Sequence, residues 1–176
     1  MKRALYGLMV LGLLVGCSTM KVVTDYSESA DFSRFKTFQY KETDMTIADT
    51  NPLAHRRIVN AIKQEMIASG LTEVDSDPDV YVTYYGKVNE QIILHSSTMG
   101  YRHGSHWRSG VGHPTKIATT YLRGTLVIDI WEAEQKELVW RGVVSDAVSG
   151  NPDRNTARIN RGISSAFERF PPASAS

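Results

Sequence analysis

The chain has 176 residues, of which 41% are hydrophobic and 22% charged, with a formal net charge of +1. That balance is ordinary for a globular protein. It lacks the strongly basic footprint of a nucleic-acid binder, so no nucleic-acid partner is expected. A single cysteine, Cys17, excludes a disulfide framework and leaves the fold to rest on its core.

Lys2 and Arg3 precede an apolar run from Ala4 to Gly16, the pattern of a secretory signal. The run is too short to span a bilayer, which takes about 20 residues in a helix. Leu14-Val15-Gly16-Cys17, which closes it, resembles the lipobox of bacterial lipoproteins. The resemblance implies cleavage before Cys17, acylation of its thiol, and contact with a membrane through that lipid. Ser18, not Asp, follows the cysteine, which in such lipoproteins implies the outer membrane and a periplasm-facing domain. Residues 1–16 are therefore expected to be a signal peptide and 17–21 a lipidated tether. Loss of Lys2 and Arg3 takes the net charge from +1 to −1. One acyl chain holds a protein only marginally, at about 0.8 kcal/mol per buried methylene, and the resemblance implies more than one.

Lys21 to Tyr26 is β-branched and short, and reads as a first strand. If it begins at Val22, about five extended residues, roughly 17 Å, separate the lipid from the fold. Ser27 to Phe32 reads as a polar turn, Phe35 to Tyr40 as a second strand, and Lys41 to Thr50 as a loop. Asn51-Pro52 opens a helix, with Asn as cap and Pro at the first helical position. Leu53, Ile58, Ala61, Ile62, Met66 and Ile67 recur along it at helical spacing, and Gly70 closes it.

Asp77-Pro78 is a turn. Beyond it Val80, Val82, Tyr84, Gly86 and Val88 alternate with Tyr81, Thr83, Tyr85 and Lys87 along a strand. Residues 95–116, rich in Gly, Ser and His, have no periodicity and read as a long surface loop. Leu122 to Ile130 and Leu138 to Val144 alternate on either side of Ala133-Glu134-Gln135-Lys136, which predicts a hairpin. Asn151-Pro152 opens a second helix with Ile159, Ile163, Ala166, Phe167 and Phe170 as its apolar stripe. Arg154, Arg158, Arg161 and Arg169 read as its solvated side. The expected fold is α+β: a mostly antiparallel sheet of about five strands packed on two helices, as a two-layer sandwich over 22–170. Residues 171–176 are expected to be a disordered tail.

Asp31-Phe32-Ser33, Phe35-Lys36-Thr37-Phe38, Asp77-Pro78-Asp79-Val80, Gly124 to Asp129 and Leu138 to Gly142 together resemble the lipoprotein-associated family called domain of unknown function 4136. The resemblance runs from about Val22 to Phe170. It implies an envelope lipoprotein of α+β fold with no established activity, and supplies no catalytic residues.

The candidates for chemistry are few. His103, His106 and His113 carry imidazoles, the commonest transition-metal ligands. No free thiol accompanies them, and no acidic residue stands between 91 and 128, so a fourth ligand is not local. No metal and no cofactor is expected. Asp129, Glu132 and Glu134 could share acid–base work if held together, but regular alternation puts Asp129 and Glu132 on opposite faces. They are expected to be solvated hairpin charges. No nucleophile elbow or phosphate-binding loop occurs. Tyr81, Tyr84, Tyr85, Tyr101, Trp107, Tyr121, Trp131 and Trp140 are too many aromatics for one sheet face. Contacts to a ligand or partner are expected at Tyr101, His103, His106, Trp107 and His113. The expected function is a non-catalytic binding or structural module whose partner is another envelope protein or a glycan. The alternative is a metal- or carboxylate-dependent hydrolase using residues 95–134.

Overall fold

The computed structural model describes residues 20–43, 47–97 and 115–172, with the backbone alone at 92–97 and 115–119. The elements run β1 (Lys21–Tyr26), a 3-10 turn (Phe32–Arg34), β2 (Thr37–Tyr40), α1 (Pro52–Ala68), β3 (Thr72–Glu73), β4 (Val80–Ser97), β5 (Thr115–Glu132), β6 (Leu138–Ala147) and α2 (Pro152–Phe167). One six-stranded sheet has the order β1-β6-β5-β4-β2-β3. Neighbours pair antiparallel except β2 with β4 and β2 with β3, which are parallel. A parallel pair needs a crossover, and α1 provides it between β2 and β4. The expected two-layer α+β sandwich is present, with the two-residue β3 as a sixth strand.

Both helices start where Asn-Pro places them. The Asn51 side chain accepts from the Ala54 amide, and Asn151 accepts from the Asp153 and Arg154 amides. These bonds satisfy amides that have no partner within the helix. Gly70, at φ +92°, ends the first helix in the left-handed region.

Both helices lie on one face of the sheet. Val80, Val82, Tyr84, Leu126, Ile128, Ile130, Trp140 and Val144 point toward them and are buried with Ile62, Met66, Ile163 and Phe167. Leu53 and Ile67, expected in the α1 stripe, are instead 54% and 55% exposed. They occur where helical spacing is met but no described residue covers them. At one end, Phe32, Phe167, Phe170 and Trp140 make tilted and edge-to-face contacts with centroids 5.2–5.9 Å apart, the geometry that ring quadrupoles favour. Phe32, assigned to a polar turn by its neighbours, is thus a core residue. Phe35 follows the 3-10 turn, and the second strand begins only at Thr37.

The largest departure is in the third and fourth predicted strands. β4 and β5 pair without interruption from Val80↔Glu132 to Ser97↔Thr115, so 95–97, 115 and 116 are strand, not loop. β6 ends opposite Arg123, and just past it the Val148 amide donates to the Leu122 carbonyl at 2.8 Å; farther out the described ribbon pairs β4 with β5. Ile92-Ile93-Leu94 has no alternation to reveal a strand; its backbone pairs along the ladder with Thr120, Thr119 and Ala118. Residues 1–16, expected to be a signal peptide, Cys17 and residues 173–176 lie outside the described residues.

Candidate binding face

Period-two alternation turns the other half of each strand away from the helices, and no helix of the described residues covers that face. Register builds it in rows. Thr83, Asp129, Arg141 and Asp25 stand side by side across β4, β5, β6 and β1; Tyr85, Val127, Val143 and Val23 form the next row. Tyr81, opposite Trp131, borders them, with the Lys41 ammonium 3.5 Å from the Tyr81 ring centre. Tyr81, Tyr85, Trp131, Val127 and Val143 are half-buried, and Val23 is 47% exposed.

At the centre of this face Asp129 is fully buried. Arg141 Nε donates to its Oδ1 at 2.6 Å and Nη2 to Oδ2 at 2.7 Å. The planar fork matches the carboxylate and compensates its desolvation. Hydrogen bonding to Asp129 is the main cause that raises the Arg141 guanidinium above its already high value. Trp131 donates from Nε1 to Thr83 Oγ1 at 3.4 Å, fixing the indole over the row.

The hairpin carboxylates are therefore not a solvated group. Glu132 is also buried; Arg34 Nη2 stands 2.9 Å from its Oε1 as a charge contact rather than a well-aligned hydrogen bond. Only Glu134, 82% exposed, keeps the solvated character expected of all three. Asp129 and Glu132 each answer to a different arginine, so they do not form an acid–base pair. Arg158 likewise is not a free helix-face charge, because it donates to the Ala147 carbonyl and pairs with Asp146. Arg169 lies past the end of α2.

One further titratable chain lies under α1. His55 Nδ1 is 2.7 Å from Tyr84 Oη, and Nε2 is 3.7 Å from Glu42 Oε1. The order carboxylate, imidazole, hydroxyl is that of an activated nucleophile. Tyr84 is fully buried, however, so no substrate reaches its oxygen; the imidazole satisfies a buried phenol. Nearby, burial pushes the Tyr40 hydroxyl well above its ordinary range.

Of the residues singled out in the sequence, Tyr101, His103, His106, Trp107 and His113 lie outside the described residues. Tyr84 and Trp140 are core; Tyr81, Tyr85 and Trp131 meet on the open face. Among the described residues no group of three or more His, Cys, Asp or Glu is arranged to hold a metal, and no helix is long and apolar enough to cross a membrane. Arg141 went unnoticed in the sequence: equal spacing about Ala133 to Lys136 pairs Asp129 with Trp140, and the irregularity between Ile130 and Trp131 shifts the register by one residue to bring Arg141 opposite.

Residues 22–172 match the family described as Domain of unknown function (DUF4136), and the chain belongs to that family. No curated protein matches it. Among solved structures, a PDZ domain protein from Parabacteroides distasonis ATCC 8503 is similar in fold, with a TM-score of 0.58 at 14% identity over 88% of this chain. This chain spans 36% of that one's length. The PelC dodecamer from Paraburkholderia phytofirmans is matched at 12% identity and TM-score 0.43, over 82% of this chain and 95% of that one. A minor lipoprotein from Acinetobacter baumannii is matched at 12% identity and TM-score 0.39, over 77% and 91% respectively.

Proposed function

We propose that this protein is a non-catalytic binding module of the bacterial envelope. It is tethered through a lipid on Cys17 to the periplasmic side of the outer membrane and engages a protein or glycan partner with its open sheet face. The observation that supports this most is the aromatic surface of Tyr81, Tyr85 and Trp131 around the Arg141–Asp129 pair, on the face left bare by both helices. Tyr, Trp and Arg are the residues enriched at the centres of interfaces. Here they are held by the sheet, so little ordering entropy is lost on contact. The lipobox supplies the address, and β1 at Lys21 leaves only a short tether.

A photo-crosslinking residue at Tyr85 or Val143, in cells, tests the face against the same residue at Asn60 or Asn160 on the exposed sides of the helices. Adducts to protein or to wall glycan are expected from the sheet positions and not from the helix positions. The reverse pattern, or no adduct at all, overturns the reading. The Cys17→Ser protein is expected in the soluble periplasmic fraction; retention in the membrane pellet overturns the anchor.

A further inference from the structure

The helix-side face of the sheet contains a cavity of about 160 Å³ that is partly open to solvent. It lies between the N-terminal halves of α1 and α2 and the strands β4, β5 and β6. Ile47, Ile58, Leu126, Val144, Val148 and Ile159 dominate its walls, and among the described residues no aromatic ring lines it. Gly86 and Gly124 form part of its floor. A Cβ on Gly86 would come 2.9 Å from Ile47, and one on Gly124 would come 3.3 Å from Val148. The absence of both side chains leaves the space open.

Asn155, Arg158 and Asp146 at the rim are already partnered. Asn155 accepts from the Ser149 amide and donates to the Ser149 carbonyl, and Arg158 pairs with Asp146. An ordered water needs two to four polar partners, which walls of this kind do not offer, so an apolar group is the better occupant. On the same sheet face, Val88 and Leu122 continue the apolar surface outward while 53% and 42% exposed.

We infer that this cavity binds the end of an aliphatic acyl chain, the remainder of which lies along Val88 and Leu122. The position of the chain start favours a lipid. β1 enters with Lys21 opposite Ser145, at the end of β6 that walls the cavity. Cys17 stands three residues before Met20, a reach of at most about 10 Å. The chain therefore comes either from the lipid on Cys17 or from the membrane to which that lipid holds the domain. Only this choice of source rests on the anchor reading above; the cavity itself is independent of it and of the open face.

The test is titration of the full chain carrying Cys17→Ser with cis-parinaric acid, a fluorescent fatty acid. Saturable one-to-one binding is expected. Ala54→Leu, which fills the cavity from α1, is expected to weaken it by about tenfold, the effect of excluding roughly two methylenes. Val148→Leu, from the sheet side, should act likewise and covers the case in which the first variant does not fold. Leu53→Ser, an exposed position outside the lining, should leave binding unchanged. No saturable binding, or binding that neither filling variant weakens, overturns the proposal. So does displacement of the probe by an apolar peptide but not by laurate. In the native lipidated protein, loss of probe binding assigns the cavity to the protein's own anchor, and retained binding assigns it to a membrane lipid. Because this titration needs no partner, its failure is distinct from failure of the crosslinking experiment.

Discussion

Arg141 holds Asp129 through two parallel hydrogen bonds of 2.6 and 2.7 Å, and the carboxylate they reach is closed to solvent although it lies on the uncovered face of the sheet. Removing the guanidinium leaves a buried charge without compensation, a class of change that costs about 3–5 kcal/mol. Arg141 is itself 43% exposed, so water partly replaces it. Arg141→Leu is expected to lose about 2–3 kcal/mol in urea unfolding with an unchanged m-value. Adding Asp129→Asn should restore part of that loss. A single-variant loss below about 1 kcal/mol would show that the pair is not structural.

Asp79 ties the parallel strands β2 and β4 together. Its Oδ2 accepts from the Lys36 and Thr37 amides at 2.7 and 2.9 Å, and its own amide donates to Thr37 Oγ1 at 2.9 Å. The Lys36 amide is the foremost cause that holds the carboxyl below its ordinary value, with the Thr37 groups adding to it. A group depressed on folding contributes stability above its unfolded value, near 3.9, and loses it as pH falls through the folded value. Asp79→Asn is therefore expected to be less stable than the parent at pH 7, with the gap narrowing on acidification below about pH 4. Urea midpoints between neutral and acid pH measure it. A gap independent of pH would sink the assignment.

Gly162 lets α2 approach β6. A Cβ there would stand 2.5 Å from Val144 Cγ1, on a β-branched side chain with little freedom to move. Alanine is the better helix former by about 1 kcal/mol, but the overlap is expected to outweigh that gain. Gly162→Ala should lower the melting temperature, and Val144→Ala in the same chain should recover part of it. A stabilised single variant would show that the helix can shift freely.

The hydrolase alternative predicts metal in the His103, His106 and His113 region. Elemental analysis of the purified mature protein is expected to find no stoichiometric zinc. Zinc present in the parent and lost in His106→Ala would revive it.

Much of the fold was legible because short-range periodicity carries it. Asn-Pro twice marked a helix start, and alternation on both sides of Ala133 to Lys136 marked the β5–β6 hairpin. Other features were not local. The parallel pairing of β2 with β4 joins residues more than forty positions apart, and no motif in either strand names its neighbour. The extension of β4 to Ser97 depends on the ladder it forms with β5. Leu53 and Phe32 show the same limit in opposite directions: helical spacing does not guarantee a facing surface, and polar neighbours do not prevent burial.

By itself the sequence determined the lipobox resemblance, the helix starts, the hairpin and the two-layer class, since each depends on residues within a few positions of one another. The tertiary structure alone decided which carboxylates are buried, which aromatics share the open face, and where a cavity remains. Those outcomes depend on side chains that meet only after the strands have found their order.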